Sequence, residues 1–320
     1  MSELIKRIER EVGIPNLVET LATRLAPSDL QSMLLKTFRL RASRLTPSAV
    51  LSAYEANRFV APSRISPVEF LRWEQTAFSC LPSEFSSLAL APVAPLGTSS
   101  VLAGVDQNWA VTTVRNTEVV SDSTNVLALE CALRRRQLLR ADPKCAQPVH
   151  LASSHRLLRA QQYADSKHVP HFSSFALCSA GRDGGNLQFE ISAVILHVHF
   201  YLTALAAYLS HRARLRVAIS DFSAIPRLDV IEERILSPLQ SHFPQADCAL
   251  EPDRTSGRGY YVDLVFHVYA SLPTGEWIEL VDGGSVNWTQ RLLSNVKERL
   301  FISGIGSERL CATFPIRNGP

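Results

Sequence analysis

The sequence predicts an α+β protein in which a helical N-terminal unit precedes a larger sheet-based domain, and two observations carry that expectation. Over residues 1–82 apolar residues recur at helical spacing, with prolines just inside each new helix start. Beyond Pro82 glycine, proline and β-branched residues rise, and the chain closes on an apolar run, two closely spaced glycines and Glu308-Arg309-Leu310, which reads as a strand turning into a helix. With 320 residues, 46% of them hydrophobic, the chain can bury a large core and make one big domain beside a smaller one.

In the N-terminal unit Leu4, Ile5, Ile8 and Val12 share a helical face, Pro15 starts a second helix and Pro27-Ser28-Asp29 a third. Thr46-Pro47-Ser48 and Ser66-Pro67-Val68-Glu69 read as N-caps followed by proline, with Glu69 placed as a capping residue. Lys36, Arg39, Arg41, Arg44, Arg58 and Arg64 make a basic side, either a solvated surface or a docking face for RNA or a carrier protein.

The main domain is expected over 83–320. The Pro92, Pro95 and Gly97 cluster marks loops between strands, with strands over 109–114 and 117–120 leading through Ser121-Asp122-Ser123-Thr124-Asn125 into an amphipathic helix over 126–139. Strands follow from Val149 and over 172–178, then a long helix over 187–209, a buried strand over 215–220 and a helix over 229–240. Arg212, Arg214 and Arg216 alternate at strand spacing and are expected in solvent at a sheet edge.

A net charge of +3 makes no sequence-wide electrostatic case for nucleic acid and leaves only a local patch for a polyanion. No charged-then-apolar N-terminal signal is present, and the most apolar stretch, 191–209, is interrupted by His197 and His199, so a core helix, no membrane partner and a cytoplasmic protein are expected. The six cysteines show no Cys-x-x-Cys pair, as in reduced, buried thiols. His197-x-His199, and His168-x-x-His171 with Cys178, lack a third ligand at recognisable spacing, and no protein-bound metal is expected.

Chemistry concentrates near the C-terminal end. Amide N–H groups at the start of a helix after Gly304-Ile305-Gly306, with the Arg309 fork of donors, suit a phosphate; the same glycines also serve as a packing device. Upstream stand Gly257-Arg258-Gly259-Tyr260-Tyr261 and then Glu279-Leu280-Val281-Asp282-Gly283-Gly284. This succession of a Tyr-Tyr strand, a Gly-Gly loop and a closing Gly-x-Gly-x-Glu-Arg-Leu resembles the histidyl-tRNA synthetase family of class II aminoacyl-tRNA synthetases and its stand-alone paralogues, over residues 88–314.

The resemblance implies a class II synthetase-like antiparallel sheet flanked by helices, a homodimer, and use of ATP with Mg2+ to activate an amino acid or similar small carboxylate as an acyl-adenylate. Asp122 and Thr124 match the family's pair for the substrate ammonium, although Asp122 or Ser123 also suits a plain helix cap. Arg156, Arg159 and Gln161 fit an Arg-x-Glu-Arg-x-Gln loop, which makes Arg156 the leading catalytic candidate at the substrate carboxylate and α-phosphate. Glu308 and Arg309 complete the implied ATP site, with Arg309, the second catalytic candidate, at the terminal phosphates. Ser174, Arg258, Tyr260, Tyr261, Gly283 and Gly284 fall where substrate is bound.

Departures shape the expectation as well. Leu158 replaces the glutamate that meets adenine; Ser174 and Cys178 replace the Gln and Glu of a histidine pocket; Ser256 replaces an arginine, with Arg254 and Arg258 displaced around it; and Ser285-Val286-Asn287 replaces Arg-Tyr-Asp. Histidine is therefore not the expected substrate, and the far end of the pocket is expected to be less polar. Only ten residues follow Leu310, so no anticodon-binding domain is expected. The acceptor stays open between carrier protein, another metabolite and tRNA. A catalytically degenerate regulatory or ligand-binding subunit, or an RNA-binding one using the N-terminal helices, is the alternative.

Overall fold

The computed structural model describes residues 3–161, 170–210 and 212–315. Local chemistry sets the helix starts. Thr46 Oγ1 accepts from the Ala49 N–H at 3.2 Å and Ser66 Oγ from the Val68 N–H at 3.3 Å, each before a proline in the first turn. The N-terminal helices are α1 (Glu3–Val12), α2 (Leu17–Thr23), α3 (Pro27–Ala42), α4 (Pro47–Ala56) and α5 (Pro67–Ser79). The first four bury none of their described residues. Helix α5 enters the core: Trp73 and Ala77 are fully buried, and the indole N–H of Trp73 donates to Ser307 Oγ at 3.0 Å.

After it come β1 (Phe85–Ser87), β2 (Val93–Pro95), β3 (Thr117–Val119), α6 (Ser123–Ala141), β4 (Val149–Leu158), β5 (His171–Arg182) and α7 (Gln188–Leu209). The rest is β6 (Leu215–Asp221), α8 (Leu228–Ile231), α9 (Ser237–His242), β7 (Asp247–Leu250), β8 (Leu264–Ser271), β9 (Trp277–Val286), α10 (Trp288–Leu293), β10 (Glu298–Gly306) and α11 (Ser307–Thr313). Eight strands form one sheet in the order β1-β4-β5-β10-β9-β8-β6-β7, while β2 and β3 pair separately. The inner strands are antiparallel as expected, but β1 pairs with β4, and β7 with β6, in parallel, so the sheet is mixed. A helical crossover through α8 and α9 joins β6 to β7, the connection a parallel pair requires.

Side-chain alternation splits the core into two layers. Phe175, Leu177, Phe301 and Ile305 face α5 and α7, whereas Ala176, Cys178, Leu300 and Ile302 face α6. Helix α7 is long and apolar enough to cross a membrane, and 61% of its most apolar window is buried in this fold. His197 within it is fully buried, bonded through Nε2 to Ser179 Oγ at 2.8 Å and through Nδ1 to Ser303 Oγ at 2.7 Å. Burial first, and His150 second, push its imidazole well below the usual range, so it stays neutral. His199 packs on the Phe243 ring, and His168 lies outside the described residues.

Several local expectations are corrected. No strand runs over 109–114: Gln107–Trp109 is a 3-10 turn, because the buried Glu118 carboxylate draws the Gly97 and Ser99 N–H groups and Gln107 Nε2 onto itself at 2.7–2.9 Å. Strand β6 is not at the edge, since β7 covers it; Arg216 lies 3.6 Å from Asp247, Arg214 stacks over Trp277, and Arg212 donates to the last carbonyls of α7. Gly283-Gly284 is no loop but the middle of β9, and Gly304 to Gly306 continue β10 straight into α11 without a turn. Tyr260-Tyr261 stands in the turn before β8, and Arg156 lies within β4, which runs on to Leu158.

A fully buried ion pair joins the α6 layer to the sheet: Arg135 donates to both oxygens of Glu298 at 2.8 and 2.9 Å and to the Cys145 carbonyl. Replacing Arg135 with Met strands the Glu298 carboxylate, and the expected loss is about 3–5 kcal/mol of unfolding free energy by urea titration. The double variant Arg135→Met/Glu298→Leu is expected to recover most of it, since burying neither charge removes the desolvation cost.

Candidate functional site

On the α6 face the sheet carries small residues where β5 and β10 meet, Ser174 and Gly304, and above them opens a cavity of about 740 Å³. Its walls come from distant stretches. The start of α6 supplies Asp122 and Thr124, the end of β4 and the residue after it supply Leu157 and Arg159, and the turn before β8 supplies Tyr260 and Tyr261. Strand β9 adds Glu279 and Asp282, α11 adds Glu308 and Arg309, and the segment before α5 adds Arg64 and Ile65.

Asp122 caps α6 and also lines the cavity. As N-cap of α6, its Oδ1 accepts from the Thr124 N–H at 2.9 Å and the Thr124 hydroxyl at 2.8 Å, while its carboxylate lines the cavity. Its Oδ2 accepts from Arg159 Nη2 at 3.1 Å, and Arg159 Nε is held by the Ser121 carbonyl. An ammonium arriving here would share Asp122 with Arg159. Tyr260 closes this corner; burial pushes its hydroxyl well above the usual range, so it remains a neutral donor.

The next group is one that the sequence pattern does not assign to the site. Asp282 accepts from Arg254 Nη2 at 2.7 Å and from the Tyr261 hydroxyl at 2.8 Å, and lies 3.4 Å from His267 Nε2. Burial acts to raise the Asp282 carboxyl, but the hydrogen bond from His267 and the charge and bond of Arg254 outweigh it and hold the carboxyl below the usual range. Glu279, three residues earlier, would face the opposite side of a regular strand. A bulge beside Val268 and Tyr269 leaves Leu280 as an extra residue, and Glu279 and Asp282 line the same cavity. Ser174 lines this chamber and Cys178 lies buried outside its lining, while β9 adds two carboxylates that the expectation of a less polar far end did not include. The signal was present in Glu279-x-x-Asp282, but its meaning depends on a bulge.

At the other end Glu308 accepts from Arg156 Nη1 at 2.9 Å. Arg156 also meets His171 Nδ1 at 2.9 Å and lies behind Glu308, outside the cavity lining. Arg258 is stacked on Phe222, 4.5 Å from the ring centroid, also outside the lining. Gly283 and Gly284 act beneath the floor: a Cβ on the first would come within 2.6 Å of Phe266 and Ser303, and on the second within 2.7 Å of Val265 and Tyr261. Gln161 lines a second cavity of about 280 Å³ that shares Asp122, Arg159, Tyr260, Tyr261 and Asp282 with the first. Among the described residues no three His, Cys, Asp or Glu side chains converge as a metal cluster.

No protein-family model matches the sequence, and no curated protein matches it. Solved structures do. An apo histidyl-tRNA synthetase from S. aureus is 16% identical, aligned over 78% of this chain and 68% of its own, with a TM-score of 0.56. An ATP phosphoribosyltransferase regulatory subunit/histidyl-tRNA synthetase from Bacillus halodurans C is 12% identical over 81% of this chain and 83% of its own, with a TM-score of 0.54. The RNA binding domain of threonyl-tRNA synthetase from Cryptosporidium parvum Iowa II is 11% identical over 77% and 63%, with a TM-score of 0.56. The chain has the class II aminoacyl-tRNA synthetase-like fold. At these identities the likeness establishes the fold and leaves the chemistry to the site.

The lowered Asp282 carboxyl sets a pH dependence. An aspartate held below its unfolded value, about 3.9, contributes stability above that pH and loses it as pH falls through the folded value. The gap in urea midpoint between wild type and Asp282→Asn is expected to be full near neutral pH and to shrink below about pH 4. A gap that is constant through the acid range would contradict this.

Proposed function

We propose that the protein binds ATP and an amino acid or similar small carboxylate in the α6-side cavity and joins them as an acyl-adenylate, releasing pyrophosphate. The observation that carries this is one chamber shared by an ammonium-type corner, Asp122 with Thr124 and Tyr260, and by Glu308 and Arg309 of α11. Its volume, about 740 Å³, is within the range of small-molecule sites.

In that reaction a carboxylate oxygen attacks the α-phosphorus, the bond from that phosphorus to the bridging oxygen of pyrophosphate breaks, and charge builds on the equatorial oxygens. Arg309, exposed at the rim, is free to meet the phosphates; Arg156 enters as Glu308 exchanges its partner. Glu308 and Glu279, both in the cavity wall, would hold a magnesium ion brought with the nucleotide, and the ion would supply neutralisation of phosphate charge. Leu158 offers adenine no acceptor, so positioning falls to the phosphate end. A homodimer, a carrier-protein or tRNA acceptor and a cytoplasmic location belong to the same proposal.

One observation favours the regulatory or ligand-binding alternative. Arg156, Arg159 and Arg254 are each already bound to a carboxylate of this chain, Glu308, Asp122 and Asp282. Such pairs leave less positive charge for a developing phosphorane.

ATP–pyrophosphate exchange across a panel of amino acids separates the two readings. Exchange with a non-histidine amino acid, reduced about 10²- to 10³-fold in Arg309→Ala, is expected. Calorimetric binding of MgATP without exchange would select the regulatory reading, and no nucleotide binding at all would sink the enzymatic one.

A further inference from the structure

Residues 57–65, between α4 and α5, have neither helix nor strand, yet they are tied down at two points. Arg58 donates to the carbonyls of Ala160 and Gln161 at 2.8 and 3.0 Å, and its guanidinium stacks over Phe59. The Ala61 carbonyl meets His171 Nε2 at 2.5 Å. The segment is thus strapped to the residues that follow β4 and begin β5, and it carries Arg64 and Ile65 to the cavity wall.

The charges around that wall are uneven. Arg159 is paired with Asp122, and the neighbouring Arg156 and Arg254 with Glu308 and Asp282. Arg64 and Arg309 are the cavity-lining arginines that, among the described residues, have no carboxylate partner. Both are exposed, so neither pays a burial cost, and two like charges that line one concavity raise its positive potential, which an anion bound there relieves. Guanidinium groups are donor forks matched to phosphate oxygens.

We propose that Arg64, delivered by the strap, is a substrate-binding residue that clamps the polyphosphate of the ligand together with Arg309, and that the contacts of Arg58 and His171 hold it in position. This rests on the nucleotide reading above and gives the N-terminal region a direct part in the site. The clamp recognises a chain of phosphates and leaves a lone α-phosphate to other groups.

Calorimetry with sodium tripolyphosphate, MgATP and AMP, on wild type, Arg64→Ala, Arg64→Lys and Arg58→Ala, tests it. Loss of charged hydrogen bonds worth about a tenfold to hundredfold in affinity is expected for tripolyphosphate and MgATP in Arg64→Ala, with AMP unchanged. Arg64→Lys recovers part of the loss, because charge returns without the fork, and Arg58→Ala weakens the same two ligands without touching either. Equal affinities in wild type and Arg64→Ala overturn the clamp even if ATP binds and reacts. Wild-type binding of tripolyphosphate that depends on Arg64, without binding of ATP, upholds the clamp and overturns the nucleotide reading. Binding of neither ligand by the wild type overturns both.

Discussion

The close approach of β8, β9 and β10 is the constraint on which the site depends. With hydrogen at Gly283 and Gly284, Phe266 and Ser303 can pack from one face and Val265 and Tyr261 from the other, at distances that no Cβ would permit. Register then follows: Gly304 stands opposite Asp282, and Ser303 opposite Gly283. Tyr261, lying on Gly284, reaches Asp282 with its hydroxyl. A larger residue at either glycine would lift Tyr261 or part the strands, and both results close the cavity or misplace its carboxylate.

Beneath the cavity lies a polar chain inside an apolar layer. Ser303, which lines the cavity, shares hydrogen bonds with His197 and with the Tyr201 hydroxyl, and His197 continues through Ser179 to His150. Each buried ring nitrogen of His197 has a partner, which is why a histidine is tolerated at the centre of α7. The chain also makes the cavity floor rigid, since Ser303 is held from below.

Charge is handled locally around the chamber. Asp122, Asp282 and Glu308 each receive an arginine of this same chain, so each of these charges is met by an opposite one nearby. An incoming ligand must exchange partners with them rather than meet bare charges. On the proposed reading, selectivity comes from which partner a ligand replaces better than arginine does, and this would separate an ammonium at Asp122 from a phosphate near Glu308.

The sequence by itself determined the elements whose causes are local. Proline caps at Thr46 and Ser66, the cap at Asp122, the long apolar α7 and the closing run into Glu308-Arg309 are legible because each depends on neighbours within a few residues. Asp122, Thr124, Arg159, Ser174, Tyr260, Tyr261, Glu308 and Arg309, which the resemblance assigns to ligand binding, line one cavity. Tertiary structure alone decided the rest. Gly-Gly became strand because two layers close on it, Glu279 joined Asp282 through a bulge, and Arg156 turned to Glu308 152 positions away. Arg64 reached the cavity because Arg58 found two carbonyls more than a hundred residues on. Those outcomes depend on distances between remote segments, and sequence spacing carries no measure of them.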